Sequence, residues 1–104
     1  MKRALKHGMA DLDRVKTALD LAYKANADRF SDCSPAIVWN GAREARVSLT
    51  IMAKSIIADF TITDDHVLVE SKIPFLFSHF EGKFMDVIGE HVEMWLARIR
   101  ADAD

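Results

Sequence analysis

The sequence has a single cysteine, Cys33, and this scarcity excludes an intrachain disulfide and a cysteine-rich zinc site. A lone cysteine is typical of a protein in a reducing cytoplasm, which is the compartment we predict. A nucleophilic cysteine needs a positioned base, and the sequence places none beside Cys33. We therefore interpret Cys33 as a small loop residue.

An excess of one charge sign is also missing, since 14 basic and 16 acidic side chains leave a formal net charge of −2. Such a chain lacks the overall field that attracts nucleic acid or anionic lipid. Its one basic cluster is Lys2, Arg3 and Lys6 with His7, which we interpret as a solvated terminus. Nucleic acid is therefore not an expected partner.

Long apolar runs are absent, so neither a signal peptide nor a membrane span is expected. Half of the 104 residues are nevertheless hydrophobic, enough for one compact core. We predict a single α+β domain covering residues 1–104.

Motifs that carry chemistry are missing as well. The sequence has no Gly-rich phosphate loop and no nucleophile elbow. The four histidines, His7, His66, His79 and His91, include no pair at i, i+4 that would place two metal ligands on one helix face. We predict no catalytic residue, no metal and no cofactor, and an enzyme is the least favoured class.

What is present is a clear change of hydrophobic period along the chain. Apolar residues from Met9 to Phe30 recur every three or four positions and predict a helix of about five to six turns, with Asp11 and Asp13 near its start. Alternation then predicts strands near residues 36–40, 47–53, 56–62 and 67–73, with Asn40-Gly41 as a hairpin turn. Helical spacing returns after Pro74 and predicts a second long helix.

These elements predict an antiparallel meander of three to four strands with both helices packed on one face. The predicted order is α-β-β-β-β-α, either with or without a further short strand at Arg3 to Lys6. The second helix is expected to pack through Phe80, Phe84, Ile88, Val92, Trp95 and Ile99, with Phe77 in the same layer.

Four of the six phenylalanines lie within ten residues, in the segment Ile73–Phe84. Phe75, Leu76 and Phe77 occupy the corner between the last strand and the second helix, and one helix face cannot bury all three. At least one should stay near the surface unless a partner covers it. We predict a contact surface at Phe75, Leu76, Phe77 and His79, and self-association as a dimer is the simplest use of it.

Several segments together resemble a known family. They are His7-Gly8 leading into Leu12, Phe30, Trp39-Asn-Gly41, Thr63-Asp-Asp-His-Val67, Ile73-Pro-Phe-Leu-Phe77 and Glu81-Gly-Lys83. With these residues the chain resembles the polyhydroxyalkanoic acid system proteins, small bacterial proteins associated by name with polyester storage granules. The resemblance implies a noncatalytic accessory protein at the granule surface.

Three functions remain open from the sequence. The first is contact with a polyester granule or a granule-associated protein through the corner. The second is a small binding module whose helices and sheet enclose an apolar pocket for an acyl or hydroxyacyl ligand, which a gap between the second helix and the sheet would favour. The third, an RNA-binding module, is supported only by the short sheet-and-helix pattern and the basic cluster, and the near-neutral net charge counts against it.

Overall fold

The structure is a computed structural model that describes residues 1–103. Five strands and two α-helices follow one another along the chain: β1 (Lys2–Lys6), α1 (Leu12–Ala27), β2 (Ala36–Asn40), β3 (Glu44–Ile51), β4 (Lys54–Ile62), β5 (His66–Lys72) and α2 (Glu81–Ala103). A 3₁₀ helix follows α1 at Asp28–Cys33, and a second one precedes α2 at Phe75–Phe80. The α+β class and the predicted order of elements are confirmed.

All five strands join one antiparallel sheet in the order β1-β5-β4-β3-β2. The predicted meander forms β2 to β5, and both helices cover one face of the sheet. The sheet has five strands and not three to four, because Lys2–Lys6 does form a strand and pairs with β5, Leu5 opposite Val67. The alternation of apolar residues in this short segment is weak, so the sequence left the strand open. Its backbone groups find their hydrogen-bond partners in β5.

The alternation in the sequence correctly identifies the face of the sheet that points toward the helices. Ile56, Ala58, Phe60 and Ile62 of β4 are buried, as are Val67, Val69 and Ser71 of β5. The residues between them are more exposed and form the open face of the sheet. Because side chains alternate with a period of two, a strand with one buried face reveals its orientation in the sequence alone.

Two hairpin turns connect β2 to β3 and β3 to β4. The predicted turn at Asn40-Gly41 is present as a three-residue loop, with Gly41 at φ +77°. The second turn has only two residues, Met52 and Ala53, both with positive φ at 53° and 63°. Positive φ at both central positions defines a type I′ turn, which asparagine and glycine favour and which bulky L-residues adopt only with strain.

We expect the double substitution Met52→Asn and Ala53→Gly to raise the free energy of unfolding by about 1–2 kcal/mol, because it relieves strain at two left-handed residues. Met52 is 75% exposed, so its replacement removes little packing. Urea denaturation followed by circular dichroism measures the change. An unchanged or lower stability would contradict a type I′ turn at this position.

Helix α1 is shorter than the sequence predicted. Asp11 caps it, its Oδ1 accepting a hydrogen bond from the Asp13 amide at 3.0 Å, and the helix ends at Ala27 after 16 residues, or about four and a half turns. The chain then tightens into 3₁₀ geometry, and Phe30 leaves helical φ/ψ altogether at φ −114°. Phe30 is therefore 40% exposed instead of completing the buried stripe.

The buried face of α2 differs in part from the prediction. Val92 is buried as expected, but the other fully enclosed positions are Met85 and Leu96. Phe84, Ile88, Trp95 and Ile99 pack against the core only partly. Phe80 was expected in the core but is 55% exposed. It lies in the 3₁₀ helix, which has three residues per turn, so the α-helical spacing that predicted its burial does not apply there.

Within residues 1–103, neither helix combines the length and apolarity needed to cross a membrane.

The interpretation of the basic cluster as a solvated terminus is wrong for His7. Its side chain is fully buried behind the end of β1. The ring Nε2 lies 2.9 Å from the Thr63 carbonyl oxygen, and Nδ1 accepts a hydrogen bond from the Met9 amide at 3.0 Å. Since the Thr63 oxygen can only accept and the Met9 amide can only donate, a neutral ring with its proton on Nε2 satisfies both.

Candidate functional site

The predicted contact corner begins where β5 ends. Pro74, with φ −54° and ψ 145°, turns the chain away from the sheet, and its carbonyl accepts a hydrogen bond from the Phe77 amide at 2.8 Å. Because the following residues form a 3₁₀ helix and not the first turns of α2, their side chains point in three directions. The corner is thus a separate short element between sheet and helix.

Most of the corner faces outward. Phe75 is 93% exposed, and Leu76 and Phe80 are each 55% exposed. Phe77 is half-buried. His79 is also exposed, and its ring centroid lies 4.0 Å from that of Phe80. In the isolated chain, the prediction that at least one of Phe75, Leu76 and Phe77 stays at the surface is confirmed.

Two polar contacts join the start of α2, which follows the corner, to the sheet. The buried Ser71 hydroxyl of β5 donates a hydrogen bond to the Glu81 carboxylate at the start of α2, and this bond lowers the pKa of Glu81 below its usual value. Arg3 of β1 forms an ion pair with Asp86, which lies five residues further along α2. The exposed segment therefore lies between a strand and a helix that are bonded to each other.

The corner shares one end of the molecule with the β3–β4 turn. Ile51 pairs with Lys54 across that turn, and Ile57 pairs with Lys72 at the end of β5. The exposed Met52 therefore leaves the sheet at the same end as the corner. Apolar side chains from two separate loops are exposed at this end.

An apolar cavity of about 140 Å³ lies between the two helices and the sheet. The residues that line it are Leu19, Ala22, Tyr23, Asn26, Ala27, Phe30, Pro35, Ile37, Ala45, Val47, Leu49, Ile56, Ala58, Phe60, Phe84, Val87, Ile88, His91 and Val92. Phe30 and Val87 are about 40% exposed, so the cavity reaches the surface between the end of α1 and the start of α2. This is the gap between second helix and sheet that favours the binding-module hypothesis.

Small side chains create much of this space. Ala45 and Ala58 lie on the neighbouring strands β3 and β4, and Ala22 faces them from α1. Ala45 lies before the strand predicted from residue 47 and is buried because β3 begins at Glu44. The void depends on how three elements meet, and no local pattern encodes that.

The histidines are dispersed across the structure. His7 is buried behind β1, His66 begins β5, His79 is exposed at the corner, and His91 lines the cavity from α2. Over residues 1–103 no group of three His, Cys, Asp or Glu side chains is placed to hold a metal ion. Cys33 is half-buried at the end of the 3₁₀ helix that follows α1.

The open face of the sheet carries a small charged cluster. Arg46 of β3 forms two hydrogen bonds with Asp59 of β4, at 2.8 and 3.1 Å, and Lys72 of β5 lies 3.2 Å from the same carboxylate. The hydrogen bond from Arg46 is the main reason that the pKa of Asp59 is lowered. Solvent-exposed pairs of this kind contribute little to stability. We interpret the open face as a solvated surface.

Comparison of the chain with models of known protein families, with curated proteins and with solved structures found no match.

Proposed function

We propose that the protein is a noncatalytic accessory protein that contacts a polyester storage granule, or a protein coating it, through the corner of Phe75, Leu76, Phe77 and His79. The resemblance to the polyhydroxyalkanoic acid system proteins suggests this setting. The observation that carries the proposal is the 93% exposure of Phe75 beside the half-exposed Leu76.

The corner has the properties that adsorption to an apolar surface requires. Each Å² of apolar side chain removed from water contributes about 25 cal/mol, so exposed rings reward contact with a polyester. Contiguous exposed apolar surface is unusual on a soluble monomer and commonly marks an interaction site. The bond from Ser71 to Glu81 joins the strand before the segment to the helix after it, so both ends of the segment are anchored before any contact is made.

The proposal predicts that the double variant Phe75→Ser, Leu76→Ser loses binding to isolated granules and keeps its fold. Side chains this exposed contribute little to folding. Granule pull-down measures binding, and circular dichroism verifies the fold. The matched control is Val38→Ser, Leu68→Ser, which removes two exposed apolar side chains from the open face of the sheet, 63% and 42% exposed, and should bind normally.

Two outcomes would contradict the proposal. A parent protein that does not bind granules, or a folded corner variant that binds as the parent does, would remove the corner as the contact. The competing occupant of the corner is a second copy of the chain. If the parent sediments as a dimer at micromolar concentration and the corner variant as a monomer, with granule binding unaffected, the corner is a self-association surface instead.

A further inference from the structure

The cavity between the helices and the sheet has the size and lining of a ligand site. Its volume is about 140 Å³, and apolar side chains from α1, α2, β2, β3 and β4 form nearly all of its wall. An engineered apolar cavity of about 150 Å³ in another protein stays dry and binds benzene. By this comparison the cavity accepts an apolar group of about six carbon atoms.

The lining contains three polar side chains. Tyr23 and Asn26 are three residues apart on α1 and so share one side of that helix, while His91 comes from α2. All three are half-buried, as expected for groups located where the cavity meets the surface. Asn26 donates one amide hydrogen to the Ala22 carbonyl at 2.8 Å, and its other amide hydrogen remains for a ligand.

We infer that the cavity binds the hydrocarbon chain of a medium-chain fatty acid, with the carboxylate at the mouth beside Tyr23, Asn26 and His91. The phenol, the amide and the imidazole each supply a donor to a carboxylate oxygen. The chain fills the space that Ala22, Ala45 and Ala58 leave open. This site is separate from the corner and does not depend on granule contact.

Calorimetric titration with butanoate, hexanoate, octanoate and decanoate tests the inference. Affinity should increase about fourfold for each CH₂ group that enters the cavity, and should level off once the chain exceeds about six carbons. Hexanoate that binds more weakly than about 10 mM, or an affinity that does not depend on chain length, would overturn the inference.

A cavity-filling variant separates this site from nonspecific adsorption. Ala58→Leu fills the floor of the cavity and should weaken hexanoate binding at least about tenfold, a loss equal to about two CH₂ contacts. Ala4→Leu adds the same atoms on the exposed face of β1 and should bind as the parent does. If Ala58→Leu does not fold, Ala22→Leu fills the cavity from the opposite wall. A folded filled variant with unchanged affinity would overturn the inference.

Hexan-1-ol tests the polar end of the ligand. It has the same chain length but lacks the carboxylate that the three polar side chains are proposed to contact. We expect it to bind at least about tenfold more weakly than hexanoate, because a hydrogen bond to a charged group contributes more than one to a neutral group. Equal affinity would overturn the assignment of a carboxylate to the mouth.

Discussion

Replacement of His7 by alanine should lower the free energy of unfolding by about 3 kcal/mol or more. The ring is fully buried, so its loss leaves a cavity. It also leaves the buried Met9 amide and the part-buried Thr63 carbonyl without their partner, and an unsatisfied buried group costs about 1–3 kcal/mol. Urea denaturation of the parent and the variant measures the difference.

His66→Ala is the matched control for this prediction. His66 is half-buried at the start of β5, and its two bonds with the Thr63 hydroxyl use its own backbone amide and carbonyl. Those bonds survive the substitution, so we expect a loss below about 1 kcal/mol. If His7→Ala were as mild as His66→Ala, the buried position of the His7 ring would be wrong.

Replacement of Leu96 by alanine should lower the free energy of unfolding by about 2–5 kcal/mol. Leu96 is 1% exposed and belongs to the core cluster that joins α2 to α1 and the sheet. Removal of its buried methyl groups forfeits both the transfer free energy and the packing around them. For a domain of this size the loss is a large part of the total stability.

Met94→Ala on the same helix is the control, because Met94 is 40% exposed and only two residues away. We expect it to change stability by less than about 1 kcal/mol, since alanine is also a strong helix former. Chemical denaturation of both variants measures the two losses and so shows which face of α2 packs against the core. A larger loss for Met94→Ala than for Leu96→Ala would mean that the opposite face of α2 meets the sheet.

The contact corner could be located from the sequence, but its geometry could not. Pro74 and the three apolar residues after it show that one of them must face outward. Phe80 was expected to continue the helical stripe through Phe84, and it is exposed because Phe75–Phe80 is a 3₁₀ helix. The difference between periods of 3.0 and 3.6 residues accumulates over a few positions, and the sequence does not show where one period gives way to the other.

The sequence by itself determined the order of the elements from α1 to α2, the hairpin at Asn40-Gly41 and the buried faces of β4 and β5, because these follow from local period and turn chemistry. Only the tertiary structure decided that Lys2–Lys6 is a strand, that His7 is buried and that Met85 and Leu96 face the core. It alone produced the cavity beside Ala58. Each of these features depends on contacts between residues far apart in the chain, and a local pattern does not encode how two distant surfaces pack.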